Sequence, residues 1–188
     1  MTRHFFLAIL AALIVTSCSP SASKKASEKV AEITKLEAEA KKNIADTANT
    51  RKLLKEYDQY AHDFPNDSLA PIYLFKSARI FDYFLIPDSA IQKYNRIYTQ
   101  FPNFPKANMA LFTEAYIYAN EKHDLEKAKA LYNEYLAKYP NTPQAKMAAM
   151  EILNLGKTPE QIMAQIDSNR QLMQNRAEAK KQSESKGK

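Results

Sequence analysis

Phe64-Pro65-Asn66, Phe101-Pro102-Asn103 and Tyr139-Pro140-Asn141 are near-copies of one phrase, set 37 and then 38 residues apart. Self-similarity at a fixed period in this range marks stacked supersecondary units, each too small to bury its apolar face alone. Set in register, the copies agree beyond the proline. Ala70, Ala107 and Ala145 follow the aromatic residue by six positions, and Tyr57, Tyr94 and Tyr132 precede it by seven. Ala90 and Ala128 stand four residues before their tyrosines, with Leu53 in the first copy. A spacing of four inside each unit means helix. The expected fold is all-α, a small solenoid of helical hairpins that presents a surface rather than building a catalytic pocket.

Composition agrees. The 188 residues are 45% hydrophobic, enough for one domain's core, and hold only 2 Gly, too few for phosphate-cradling loops. Capping rules place the boundaries. Pro87, Pro105, Pro143 and Pro159 suit helix starts, because the first turn leaves the missing donor unneeded. Thr142, Thr158 and Asp124 are expected N-caps, Gln161 completes a capping box with Thr158, and Gly156 suits the left-handed residue that closes a helix. Helices are expected near 27–46, 51–63, 68–84, 88–100, 105–120, 125–138, 143–154 and 159–175.

These residues resemble the tetratricopeptide repeat. Its first-helix series falls on Leu74, Ala78 and Phe81 and again on Leu111, Ala115 and Tyr118; its second-helix series falls on Ala90, Tyr94 and Pro102, then on Ala128, Tyr132 and Pro140. The resemblance covers roughly residues 51–155 and implies a right-handed α-α superhelix of about eight helices. The best repeats lie at 68–140. Residues 28–46 are more charged and read as a cap or extension, and the helix carrying Ile162, Ile166 and Met173 reads as a terminal lid.

At the N-terminus, Arg3 precedes an apolar run from Phe5 to Val15, too short to cross a bilayer and suited to a signal peptide. Val15-Thr16-Ser17-Cys18 resembles the lipobox of bacterial lipoproteins. That resemblance implies a signal peptide at 1–17 and an acylated Cys18 as the membrane attachment. Ser19 and the lack of an acidic cluster then imply sorting to the outer membrane, facing the periplasm. Cys18 is the only cysteine, so no intramolecular disulfide is available. Residues 18–27 read as a flexible tether, 28–175 as the repeat domain and 176–188 as a disordered basic tail.

Charge is unevenly placed. Residues 50–168 carry 14 basic and 14 acidic side chains, whereas 169–188 carry 6 and 2. Nucleic acid is not expected for an exported chain, and the basic tail could at most make weak contact with anionic envelope polymers.

On the first helix of each pair a second apolar stripe lies apart from the core stripe, at 100° per residue. By the tetratricopeptide resemblance it lines a concave groove: Ile72, Met109 and Met147 in one row, Phe75, Phe112 and Met150 in the next, then Arg79, Tyr116 and Asn154, with Tyr83 and Asn120 at the end. Methionines and aromatic residues suit a peptide or helix laid into such a trough. The chain's own first or last helix is the other candidate occupant.

No catalytic residue, cofactor or metal is expected. Once His4 leaves with the signal peptide, His62 and His123 stand in different repeats, neither at metal-ligand spacing from a second ligand. The expected function is therefore a membrane-anchored periplasmic scaffold holding a protein partner, in outer-membrane assembly or maintenance. In plan it resembles the repeat lipoproteins of the β-barrel assembly machinery and the repeat proteins associated with the Tol-Pal system. The alternative is a lipoprotein that captures a glycan or solute.

Overall fold

The computed structural model describes residues 20–186. They form eight helices and no strand: α1 (Pro20–Lys42), α2 (Thr47–Asp63), α3 (Ala70–Tyr83), α4 (Pro87–Gln100), α5 (Ala107–Asn120), α6 (Leu125–Lys138), α7 (Pro143–Asn154) and α8 (Pro159–Lys186). The expected signal peptide and Cys18 lie outside the described residues. The all-α, repeat-like architecture agrees with the sequence reading. Two segments differ. Helix begins at Pro20, within the expected tether, and continues to Lys186, through the expected disordered tail. Neither segment contains an interior Gly or Pro, and their Ala, Lys, Glu and Gln are good helix formers.

The chain divides between Asp67 and Ser68 into two compact units. In the first, α1 packs on α2. Ile33, Leu36 and Ala40 are buried on α1, and Leu53, Tyr57, Tyr60 and Ala61 on α2. The charges that made α1 look ill-suited to a core sit beside this narrow stripe: Lys29 pairs with Glu56, and the Tyr57 hydroxyl donates to Glu37 Oε1 at 2.8 Å. α2 starts four residues before its expected position because Asp46 caps it, accepting from the Ala48 and Asn49 amides at 3.1 and 3.3 Å.

In the second unit helices pack in chain order, α3 on α4, α4 on α5, α5 on α6 and α6 on α7. The repeated phrase has one structural meaning in all three copies. Phe64, Phe101 and Tyr139 each close a helix with φ near −126°, −126° and −131° and ψ of 59°, 57° and 49°. Each donates its amide back to the carbonyl four residues earlier. Each carbonyl then accepts from the amide three residues on, Asp67, Phe104 and Thr142, so the proline sits at the second position of a turn that stops the helix. Pro105 lies in a further turn, Ala107 to Phe104 at 2.8 Å, and α5 therefore starts two residues later than expected. Thr142 is the other capping correction: its hydroxyl turns to the Tyr139 carbonyl and the Tyr135 hydroxyl, both at 2.9 Å, and leaves the α7 amides uncapped. The expected caps at Asp124 and Thr158 are present, the latter with Gln161 as a reciprocal box.

Core residues are those the register singles out. Tyr57, Tyr94 and Tyr132 are buried, as are Ala90, Ala128, Ala70, Ala107 and Ala145. Alanine lets helix backbones approach closely, and each buried ring contributes about 1.5–3 kcal/mol. The hydroxyls of Tyr94 and Tyr132 have no hydrogen-bond partner, and burial pushes both far above the ordinary phenol range.

The turns after α3, α5 and α7 each hold one left-handed residue: Leu85 (φ 54°), His123 (φ 53°) and Gly156 (φ 74°). Only the third is glycine. Leu85 continues the spacing of Leu74, Ala78 and Phe81, but α3 ends at Tyr83 and Leu85 lies in the turn, 75% exposed. At Gly156 an added Cβ would also stand 3.0 Å from Leu125 Cδ1.

Urea unfolding should separate these contributions. Tyr132→Phe should leave stability within about 1 kcal/mol or raise it, since it removes an unpaired buried hydroxyl. Ala128→Leu should cost about 1–3 kcal/mol by overpacking. Leu85→Asn should gain about 0.5–1 kcal/mol by relieving the left-handed strain.

Candidate functional site

The residues expected to line a groove are sorted by the structure into two groups. Phe75 and Phe112, at equivalent positions, turn inward. Phe75 is 8% exposed and meets Tyr94 and Phe104 edge-on at centroid distances of 6.0 and 6.3 Å, with Lys106 Nζ 4.9 Å over its ring. Phe112 is half-buried against Tyr132 and Tyr135 at 5.4 and 5.7 Å. Both rings fill the space between the helices of a hairpin, so the apolar floor expected of them belongs to the core. Ile72 is half-buried.

The remaining side chains do face solvent. Tyr83 and Arg79 on α3, Met109, Tyr116 and Asn120 on α5, and Met147 and Met150 on α7 are exposed; Met109 is 38% and Met150 61% accessible. At equivalent register positions exposure rises toward α7, from the half-buried Ile72 through Met109 at 38% to Met147 at 52%. The helix periodicity that buries Leu111 and Ala115 leaves Met109 and Tyr116 outward, and α7 repeats that geometry with fewer helices around it. Leu153 marks this end of the stack: it is the register equivalent of the buried Ala78 and Ala115, yet it is exposed.

Asn120 and Asn154 meet in a place the repeat register does not indicate. They share a cleft of about 510 Å³ between the ends of the last two hairpins with His123, Glu151, Lys157 and Leu125. The Asn120 amide is engaged with its own helix, donating to the Tyr116 carbonyl at 2.9 Å, and Lys157 Nζ reaches Gln165 at 2.6 Å. Two left-handed turn residues, His123 and Gly156, shape the cleft wall. No spacing rule in the sequence brings residue 123 to 151. His62 lies elsewhere, exposed, with Nδ1 3.0 Å from the Asp63 carboxylate.

One buried charge-bearing group was also missed. Glu114, the one charged residue of α5, is 2% exposed. Burial raises its carboxyl from the ordinary 4.5 to about 7, against the opposing hydrogen bonds of Tyr98 and Asn95. Its Oε2 has no partner. The position corresponds to the buried Ser77 of the preceding hairpin, so the repeat itself held the signal: a polar residue at a core-facing register position.

No described helix is long and apolar enough to cross a membrane. No family model matches the chain, and a search of curated proteins finds no match to it.

Glu114 makes stability pH-dependent. From about pH 4.5 to about 7 the unfolded chain has lost this proton while the folded chain keeps it, so stability falls as pH rises through that window. Unfolding at about pH 5 and about pH 8 should show a loss on the order of 3 kcal/mol that Glu114→Gln abolishes.

Proposed function

We propose that this chain is a tetratricopeptide-type scaffold, tied to the outer membrane through an acylated Cys18 and facing the periplasm, that holds a protein segment along the exposed strip of α5 and α7. The observation that carries this reading is the placement of methionine. Every Met among the described residues, 109, 147, 150, 163 and 173, is exposed. Methionine is ordinarily among the residues most often buried, and it is favoured on surfaces that must conform to an apolar partner. With Tyr116 and Tyr83, three of the five form a strip on the first helices of successive hairpins, a setting suited to an amphipathic helix or extended peptide. Arg79 at one end offers an ionic handle.

The signal sequence and lipobox support the location. An acyl chain contributes about 0.8 kcal/mol per buried CH₂, and two or more chains on one residue give stable anchoring. Outer-membrane assembly or maintenance is the process that fits such a scaffold.

The shared cleft favours a second reading, capture of a glycan or other polar solute. Its volume lies within the usual range for small-molecule sites, and Asn120, His123, Glu151 and Asn154 converge on it. It lacks an aromatic platform for a sugar ring.

A photo-activated cross-linker placed at 116 or 150 in living cells should give one discrete protein adduct, absent when it is placed at Asn133, an exposed position on α6. Adding Met147→Asp should reduce that adduct about tenfold or more, as loss of a buried apolar anchor implies. Adducts of equal pattern at 116, 150 and 133 would contradict the scaffold reading. Saturable binding of an oligosaccharide, lost in Glu151→Ala, would support the second.

A further inference from the structure

α3 and α5 both end on a carboxylate. Asp82 stands in the last turn of α3 and Glu121 directly follows α5, and neither last turn carries a basic side chain. The helix macrodipole makes both ends negative, so a carboxylate is the unfavourable charge at either place and a cation the favourable one. The two ends are neighbours. α4 packs on both helices, and Lys122 Nζ, one residue past Glu121, reaches Asp88 Oδ1 in the first turn of α4 at 2.7 Å, which fixes the end of α5 beside the turn that follows α3. Asp82 and Glu121 are half-buried there. Burial raises both carboxyls above their ordinary values, and the charge of Asp82 raises Glu121 further. Neither acid is set by the repeat, whose register puts Ala119 in the place of Asp82 and Phe84 in that of Glu121.

A buried polar atom belongs to the same place. Tyr94 of α4 is fully buried, its ring edge-on to Phe75 at 6.0 Å, and its hydroxyl has no hydrogen-bond partner. Beside burial, the influences on that hydroxyl are the charges of Asp82, Arg79 and Glu121, so it faces the carboxylate pair. Tyr132, its register equivalent, is also unpartnered but has one carboxylate near it, Glu151. Arg79 acts on Asp82 by its charge, without a hydrogen bond. Two carboxylates against one guanidinium leave one negative charge, which a monovalent cation balances. A divalent metal fits poorly, because hard cations take six or more oxygens and, among the described residues, no three His, Cys, Asp or Glu gather as ligands. A primary ammonium has three donors and no acceptor, matching two carboxylates and a phenol oxygen. A guanidinium pairs best side-on with a single carboxylate.

We propose that Asp82, Glu121 and the Tyr94 hydroxyl seat a lysine ammonium of the protein segment this chain holds. The seat adjoins Tyr83 and Asn120, at the α3 end of the exposed strip, and the partial exposure of both acids opens it to solvent. Binding neutralises two repelling carboxylates at helix C-termini and gives the buried hydroxyl its partner, so the interaction is made only in the complex. This inference rests on the scaffold reading and adds the chemistry of the partner: an apolar segment for the methionines, with a lysine placed to reach the ends of α3 and α5.

Carbodiimide coupling in isolated membranes tests it, because a zero-length reagent joins a carboxylate only to an amine in contact with it. With the full chain, mass spectrometry should find Asp82 or Glu121 in isopeptide linkage to a lysine of another protein. Asp82→Asn combined with Glu121→Gln should abolish that linkage and lower the yield of the photo-adduct at 150 about tenfold, as removal of a charge pair at an interface implies. Tyr94→Phe should lower it about threefold, the worth of one hydrogen bond. Glu121→Gln alone should leave the urea midpoint unchanged or raised, whereas a merely structural role for the acid would lower it. The photo-adduct of the parent chain separates the two readings. If it forms while residues 82 and 121 show no linkage, or linkage only to lysines of this chain, and the double variant leaves its yield unchanged, the lysine seat is overturned and the scaffold stands. If it does not form, both are overturned.

Discussion

The stop imposed on each second helix by an aromatic residue and the proline after it is the constraint on which the rest of this structure depends. Proline restricts the residue before it to non-helical backbone. At Phe64, Phe101 and Tyr139 the chain leaves the helix with nearly the same dihedral angles, and one turn of hydrogen bonding follows in each copy. The aromatic ring at the stop packs back on the preceding turn, as Tyr60 with Phe64 at 4.9 Å and Tyr135 with Tyr139 at 5.3 Å. Equal exits make equal hairpins. The buried tyrosines and alanines at fixed offsets from each stop then face the same kind of surroundings in each copy.

Much of this was legible because each signal was local. Proline, the N-caps Asp124 and Thr158, and Gly156 act within one turn of chain, and the core register follows from an offset that repeats three times. The failures share a different cause. Leu85 and His123 take left-handed backbone that neither residue type advertises, imposed by closure of the hairpin around them. Phe75 and Phe112 sit at positions the tetratricopeptide resemblance assigns to a groove. Their large rings reach the facing helix and are drawn into the core, whereas the flexible Met150 at the equivalent place on α7 stays in solvent. Position in the register therefore fixed direction, but side-chain size and the number of covering helices fixed burial. The cleft around His123 and Glu151 depends on how two hairpin ends meet, which no single-helix pattern encodes.

Glu114 shows the repeat tolerating a misfit. A carboxyl in the place of Ser77 is kept folded by protonation and by Tyr98 and Asn95, and its destabilising effect appears only as pH rises toward neutrality. Buried groups of this kind usually mark either function or tolerance. Although only two residues from Tyr116, it lies on the opposite side of α5 from Met109 and Tyr116, which places it with the packing rather than with the surface that would meet a partner.

A contact surface is what the proposed function claims, and methionine oxidation reads it without any substitution, since at low conversion the rate at each thioether reports its solvent access before sulfoxide can disturb the strip. On the proposed function, oxidation rates of Met109, Met147 and Met150 should be several-fold slower in native membranes, where a bound segment would cover them, than in the purified, detergent-solubilised protein. Equal rates in the two settings would mean that nothing occupies the strip, and would contradict the account.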